Sequence, residues 1–289
     1  MTQSIYQASV ITDRAYALNA DTAAVFEELS NAGVIIFRNC IQSLDEFGAF
    51  VKKHSSRLSL DPGRVIAKGV AQLVDAGTDA VGLHCENGNA PIWPDLTWFF
   101  CEIAPTKGSQ TTLCDGVKVY QELSEEARQR FESSRIRYRR TVQGEKWRKI
   151  VSYYKPEIQQ LEDASFEHLN EIIGQDPNTR MEYNPDTDCV AYAYSVPACQ
   201  TSSFCEHPAF ANSILGPSFN YEKPVIDFEN GEEIPADLLA EITEVTERNT
   251  HTVGWQDLDL VMIDNRRVMH GRQAIIDDQR RIFNALSYR

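Results

Sequence analysis

The chain has 289 residues, 42% hydrophobic and 24% charged, enough to bury a core without staples in one large domain or two small ones. A net charge of −14 and a pI near 4.9 argue against a nucleic-acid partner, which demands a basic stripe. No apolar run approaches a membrane span, Met1–Tyr6 carries no charged-then-apolar leader, and the seven scattered cysteines lack CxxC spacing, so the expectation is a cytoplasmic protein with free thiols and no membrane partner.

In chain order, Asp21 can cap a helix running to Asn31, with Val25, Phe26 and Leu29 on one face and Gly33 as its stop. The run Val34–Phe37 reads as a buried strand. Ser43-Leu44-Asp45-Glu46 has the form of a capping box, followed by the apolar face Phe47, Phe50 and Val51 of a second helix. Residues up to about 78 form a mixed α/β support.

From about residue 79 the pattern changes to short β-like runs at 80–84, 97–104, 136–142, 190–195, 210–215, 250–255, 258–264 and 281–288. Gly, Pro, Asn and Asp punctuate them, which predicts a double-sheet, jelly-roll architecture over about 79–289. Helical patterns at 124–134, 164–173 and 236–248 are expected to flank the sheets. With no linker between the two parts, the fold class is mixed α/β in a single domain, 1–289. The basic residues Arg135, Arg137, Arg139, Arg140, Lys146, Arg148 and Lys149 read as a solvated strand-and-loop face, with a lid or substrate-charge role as the alternative.

The chemistry is concentrated in two distant segments, Gly82-Leu83-His84-Cys85-Glu86-Asn87 and Asp264-Asn265-Arg266-Arg267-Val268-Met269-His270-Gly271-Arg272. A His with an acid two positions on is weak alone, since composition predicts about one such pair by chance. On an extended segment, however, His84 and Glu86 point to the same face and form a chelating pair. His270 then completes two imidazoles and one carboxylate, the facial set that suits iron(II) and leaves three coordination positions for other ligands. Cys85, between two ligands, points away as core filler.

Arg281, eleven residues past His270, offers a guanidinium fork to the far carboxylate of a dicarboxylic acid, and Arg280 alternates to the opposite face. Thr111, after the Lys107-Gly108-Ser109-Gln110 turn, can add a hydroxyl donor, with Thr112 as the neighbour able to replace it.

These residues carry a resemblance to the clavaminate synthase-like branch of the taurine dioxygenase superfamily. It covers most of the chain: Gly33–Phe37, the His-x-Glu at His84 and Glu86, the turn ending at Thr111, Trp255-Gln256-Asp257-Leu258-Asp259, and Asp264-Asn265 ahead of His270, with Arg281 beyond. The resemblance implies a double-stranded β-helix core and an iron(II)- and 2-oxoglutarate-dependent oxygenase that consumes O2. His84, Glu86 and His270 would bind iron, while Thr111 and Arg281 would hold the 5-carboxylate of 2-oxoglutarate. Oxidation of an unactivated C–H bond would accompany release of succinate and CO2. Hydroxylation is the default, with desaturation or cyclisation as variants.

Two departures bear on the substrate. Glu rather than Asp at position 86 resembles the amino-acid hydroxylases and clavaminate synthases, which points to a small amino-acid-like or natural-product substrate. Ala285 stands four residues past Arg281, where taurine dioxygenase has a second Arg, which disfavours a sulfonate. A carboxylate at 86 also argues against halogenation. Candidates for the substrate pocket are Asn87, Trp98, Phe204, His207 and Asn212, with Asn89, Trp93 and Glu206 nearby; the reading favoured over the pocket is core for Trp98, a loop or supporting residue for His207 and a turn former for Asn87. The competing readings are a divalent-metal hydrolase using the same ligands and a catalytically silent jelly-roll binding protein.

Overall fold

The structure is a computed structural model that describes residues 5–59, 66–67, 69–74, 77–216 and 222–289; Met1 to Ser4 of the N-terminal stretch lie outside them. Asp21 starts the helix Thr22–Ala32 by accepting from the Ala24 amide, and Gly33, at φ 70°, ends it in the left-handed region. A Cβ on Gly33 would stand 2.7 Å from Val268 Cγ2, so close packing demands glycine there as well. The helix Leu44–Lys53 starts from Ser43, which accepts from the Glu46 amide at 3.2 Å. The expected box is half formed, because the Glu46 carboxylate turns instead to Arg14 and the Gln42 amide.

Among the described residues, an eight-stranded sheet runs in the order Ser9–Ile11, Val34–Phe37, Asp259–Asp264, Leu96–Ile103, Arg281–Tyr288, Ala71–Leu73 and Ile66–Ala67, with Arg57–Ser59 also pairing on Arg281–Tyr288. Strands from before residue 79 are therefore hydrogen-bonded into the same sheet as later ones. A four-stranded sheet of Thr250–Thr252, Thr111–Asp115, Val268–Arg272 and Val81–His84 packs against it. Between them lie Val34, Ile36, Phe99, Val261 and Ile263 from the large sheet and Leu113 and Val268 from the small one.

Strand alternation sends the intervening residues to the outer faces. On the large sheet, Trp98, Phe100, Met262 and Phe283 pack under the helices carrying Leu29, Phe47 and Phe50. On the small sheet, Cys114 and Met269 pack against Val119, Phe131 and Ile242 of the helices Gly116–Glu122, Glu125–Ser133 and Ala236–Arg248. A separate four-stranded sheet, Thr179–Asn184, Cys189–Val196, Ile136–Gln143 and Val225–Phe228, joins that outer cluster through Tyr138 and Tyr194. All seven cysteines are free.

Three expectations change. The run 210–215 is extended only at Ala209–Phe210, then bends over the site. Residues 144–154, expected in a basic strand-and-loop face, form a helix with Trp147 and Val151 buried. The basic residues around it are tied down locally: Arg137 and Arg139 on Asp227, Lys146 on Glu222, Arg148 on Asp188 and Arg140 on Tyr192. Finally, Thr111–Asp115 and Val268–Arg272 escaped the strand reading because they spend polar residues on a pocket rather than alternating cleanly.

Candidate active site

The strand Val81–His84 pairs antiparallel with Val268–Arg272, and in that register His84 stands directly opposite His270. Their rings are 4.4 Å apart at the centroids. On its other side Val268–Arg272 pairs with Thr111–Asp115, setting Arg272 opposite Thr111. Gly271 permits this sandwich, since a Cβ there would meet Val81 O at 2.6 Å and Thr112 Oγ1 at 2.8 Å. Glu86 lies just past the strand end, at the start of a turn in which Asn87 takes φ 55°.

The ring nitrogen Nδ1 of His84 lies 2.9 Å from the Gly82 carbonyl, which can only accept, so Nδ1 carries the proton and Nε2 is free to ligate. That Nε2 is 3.8 Å from Glu86 Oε2, and His270 Nε2 is 3.4 Å from the same oxygen. One ligand atom from each of the three residues lies within 4.8 Å of the others. Donors about 2.1 Å from one ion and at right angles stand about 3 Å apart, so small side-chain adjustments let this set close on a single divalent cation.

The electrostatics agree with that fit. Burial pushes the Glu86 carboxyl up, but the imidazoles of His270 and His84 facing its Oε2 outweigh it and hold the group well below the usual carboxylate range. Burial, then the neighbouring His84, lowers His270. An ionised carboxylate beside neutral imidazole is the protonation state that a metal ion binds. Cys85 is buried among apolar side chains, its thiol pushed well up by desolvation, which makes it inert.

The pocket in front of these three residues is walled further by Thr111, Arg272, Arg280, Ile282 and Asn284. Arg280, not Arg281, enters it. Arg280 is buried, donating at 3.3 Å to the carbonyls of Ser109 and Val74, while no carboxylate among the described residues pairs with it. Arg281 points to the far side, where it bonds Glu102 at 3.0 Å with about half of its side chain exposed. The expectation had the parity inverted: Arg280, Ile282 and Asn284 share the inner face, and Phe283 and Ala285 the outer one. Residues 282–286 are apolar on both faces apart from Asn284, so no polarity alternation marks which face is inward, and a register shift between Arg281 and Ile282 alters the pairing there.

Thr111 is in the pocket and Thr112 is turned away from it. Trp255 Nε1 donates to Thr111 Oγ1 at 3.2 Å. The turn before Thr111 is clipped to the chain before Arg280, because Ser109 Oγ accepts from the amides of Ile276 and Asp277.

Of the substrate candidates, Asn87 and its neighbour Asn89 line the pocket, joined by Ser213. The others do not. Trp98 is fully buried on the outer face of the large sheet, with its Nε1 on Ser287, since alternation gives the pocket Phe99 instead. Phe204 packs on Phe26, 5.0 Å between centroids. His207 and Glu206 are exposed on a loop, and Trp93 is core, capped by the Asn265 carbonyl. Asn212 is a brace: its carbonyl accepts from the Cys85 amide at 3.1 Å, between His84 and Glu86. Asn265, Trp255 and Arg272 stood within the quoted motifs but were given no role there; only their contacts reveal one.

The family model for taurine catabolism dioxygenase TauD, TfdA family matches residues 2–286. A clavaminate synthase-like protein of Arabidopsis thaliana is 22% identical over 283 residues, spanning 89% of this chain and 82% of the relative. Among solved structures, PvcB of Pseudomonas aeruginosa superposes with a TM-score of 0.59 at 12% identity, over 96% of this chain and 82% of that one. A taurine dioxygenase-like protein of Burkholderia xenovorans gives 0.61 at 13%, over 99% and 92%. AAD-2, solved with Mn(II) and N-oxalylglycine, gives 0.58 at 13%, over 99% and 96%. At such identities the structures speak for a shared fold.

Proposed function

Because the chain belongs to the taurine catabolism dioxygenase TauD, TfdA family and is thus an iron(II)- and 2-oxoglutarate-dependent dioxygenase, we propose that it hydroxylates an unactivated C–H bond of a small polar, amino-acid-like or natural-product substrate. Succinate and CO2 are the co-products. The observation that carries the reading is the meeting of His84, Glu86 and His270 in one pocket with Thr111 and Arg280. We read the whole chain as one domain around a double-stranded β-helix, the two facing sheets being its halves.

In this reading His84, Glu86 and His270 hold iron(II), which when bound supplies a site for the 2-oxo acid end of 2-oxoglutarate and for O2. Arg280 and the Thr111 hydroxyl take the distal carboxylate, a charge-assisted pairing for a buried guanidinium that has no carboxylate partner among the described residues. Apart from Arg272, which donates to the Gly77 and Asp79 carbonyls, the walls left for the primary substrate are neutral: Asn87, Asn89, Ser213 and Asn284 offer hydrogen bonds, Phe99 and Ile282 apolar surface. The pocket-facing residue four past Arg280 is Asn284, again no cation, which supports a substrate other than a sulfonate. The presence of the Glu86 carboxylate supports hydroxylation over halogenation.

The test is an anaerobic titration of iron(II) and 2-oxoglutarate into the protein, watched for a weak visible charge-transfer band. The wild type should develop it and His270→Ala should not; no band in the wild type, or an undiminished one in the variant, would refute the assignment.

A further inference from the structure

Of the three candidate ligands, Glu86 has the least strand support. The strand Val81–His84 ends at His84, so the ladder to Val268–Arg272 stops short of Glu86. Asn265 occupies the place of the missing ladder partner. Its Oδ1 accepts from the Glu86 amide at 2.8 Å, and its Nδ2 donates to the Glu86 carbonyl at 2.9 Å. A planar amide presenting donor and acceptor side by side thus reproduces the peptide group of a neighbouring strand.

Asn265 is itself immobilised. It is fully buried, its Nδ2 also reaches Pro94 O at 2.9 Å, its amide donates to Asp95 O at 2.9 Å, and its carbonyl accepts from Trp93 Nε1 at 3.3 Å. It opens the turn between Asp259–Asp264 and Val268–Arg272, the connection that leads from the large sheet to the small one, where the second strand carries His270. One buried turn between the two sheets therefore leads directly into the strand of His270 and holds Glu86 by a double hydrogen bond.

We propose that Asn265 is a positioning residue that fixes the Glu86 carboxylate relative to His84 and His270 and so sets the affinity of the site for its divalent ion. This rests on the reading of those three residues as metal ligands. Partners that orient a ligand cost about 10- to 100-fold in metal affinity when removed, although they never touch the ion.

The experiment uses the full chain without 2-oxoglutarate and Mn(II) alone as the probe, free ion being counted by electron paramagnetic resonance. Asn265→Ala and the milder Asn265→Ser should each bind Mn(II) about 10- to 100-fold more weakly while the near-ultraviolet circular dichroism of the metal-free protein is kept. The ligand-field bands of the Co(II) form should shift as well, which a mere loss of stability would not produce. His54→Ala, in the helix-covered core far along the chain, serves as the destabilised control and should bind Mn(II) normally. Unchanged affinity in the folded Asn265 variants, or equal weakening in His54→Ala, overturns the proposal. In the wild type, the Glu86 amide should exchange slowly without metal; exchange as fast as an open turn overturns it even if neither variant folds. A wild type that ignores Mn(II), or a His270→Ala variant that binds it fully, instead refutes the ligand reading beneath it.

Discussion

The indole N–H of Trp255 donates to the hydroxyl oxygen of Thr111 at 3.2 Å, and both side chains are buried. Trp255 can only donate, so it fixes Thr111 Oγ1 as acceptor and leaves the hydroxyl hydrogen to be given to something in the pocket. Trp255→Phe keeps the packing and removes that constraint. It should weaken 2-oxoglutarate binding several-fold, and Thr111→Val more, when the visible band is titrated anaerobically; equal affinity in both variants would remove Thr111 from the carboxylate site.

The two adjacent arginines separate cleanly. Arg280→Ala deletes a buried charged donor and should weaken 2-oxoglutarate binding by about 2–3 kcal/mol. Arg281→Ala breaks an exposed pair with Glu102, the kind worth about 0–1 kcal/mol to stability, and should leave affinity within about threefold. The reverse ranking in the same titration would return the clamp to Arg281 and contradict the strand parity.

Asp115 and Arg267 form a buried fork, with bonds of 3.0 and 2.8 Å, that ties the Thr111 strand to the end of the helix Thr22–Ala32 through Arg267 and Ser30 O. Asp115→Asn strands a buried cation and should cost about 3–5 kcal/mol in urea unfolding. Pairing it with Arg267→Met should recover part of that loss, because the lone charge is gone. A single-variant loss under about 1 kcal/mol would show that the fork contributes little.

His54 gives a pH dependence with a defined sign. Burial, then the charge of Lys53, lowers its pKa from 6.5 to about 4, so the folded chain holds it neutral beside Thr22 and Phe50. The unfolded chain takes up a proton below its ordinary value while the folded one resists. This contribution to stability is complete above pH 6.5 and declines as the pH falls toward 4. Metal-free wild type should lose about 2–3 kcal/mol from this group between pH 7 and 4.5, and His54→Phe should show a correspondingly shallower slope in urea titrations. Identical slopes would mean that His54 is protonated in the fold.

The sequence by itself determined what depends on residue type and local spacing. Asp21 and Gly33 bound a helix because capping and left-handed geometry are local properties, and the apolar run Val34–Phe37 had to be a buried strand. His84, Glu86 and His270 were legible as candidate ligands because few other residue types can serve, and Thr111 as a pocket candidate because a turn precedes it. Tertiary structure alone decided which face each strand residue takes where both faces are covered. At 282–286 and 96–101 packed layers on both sides erase the alternation, so Arg280 replaced Arg281 and Phe99 replaced Trp98 at the pocket. It also decided which distant groups meet: the bond between Asn265 and Glu86 spans 179 positions, and no periodicity in a one-dimensional string encodes a hydrogen bond formed by the folding of two sheets.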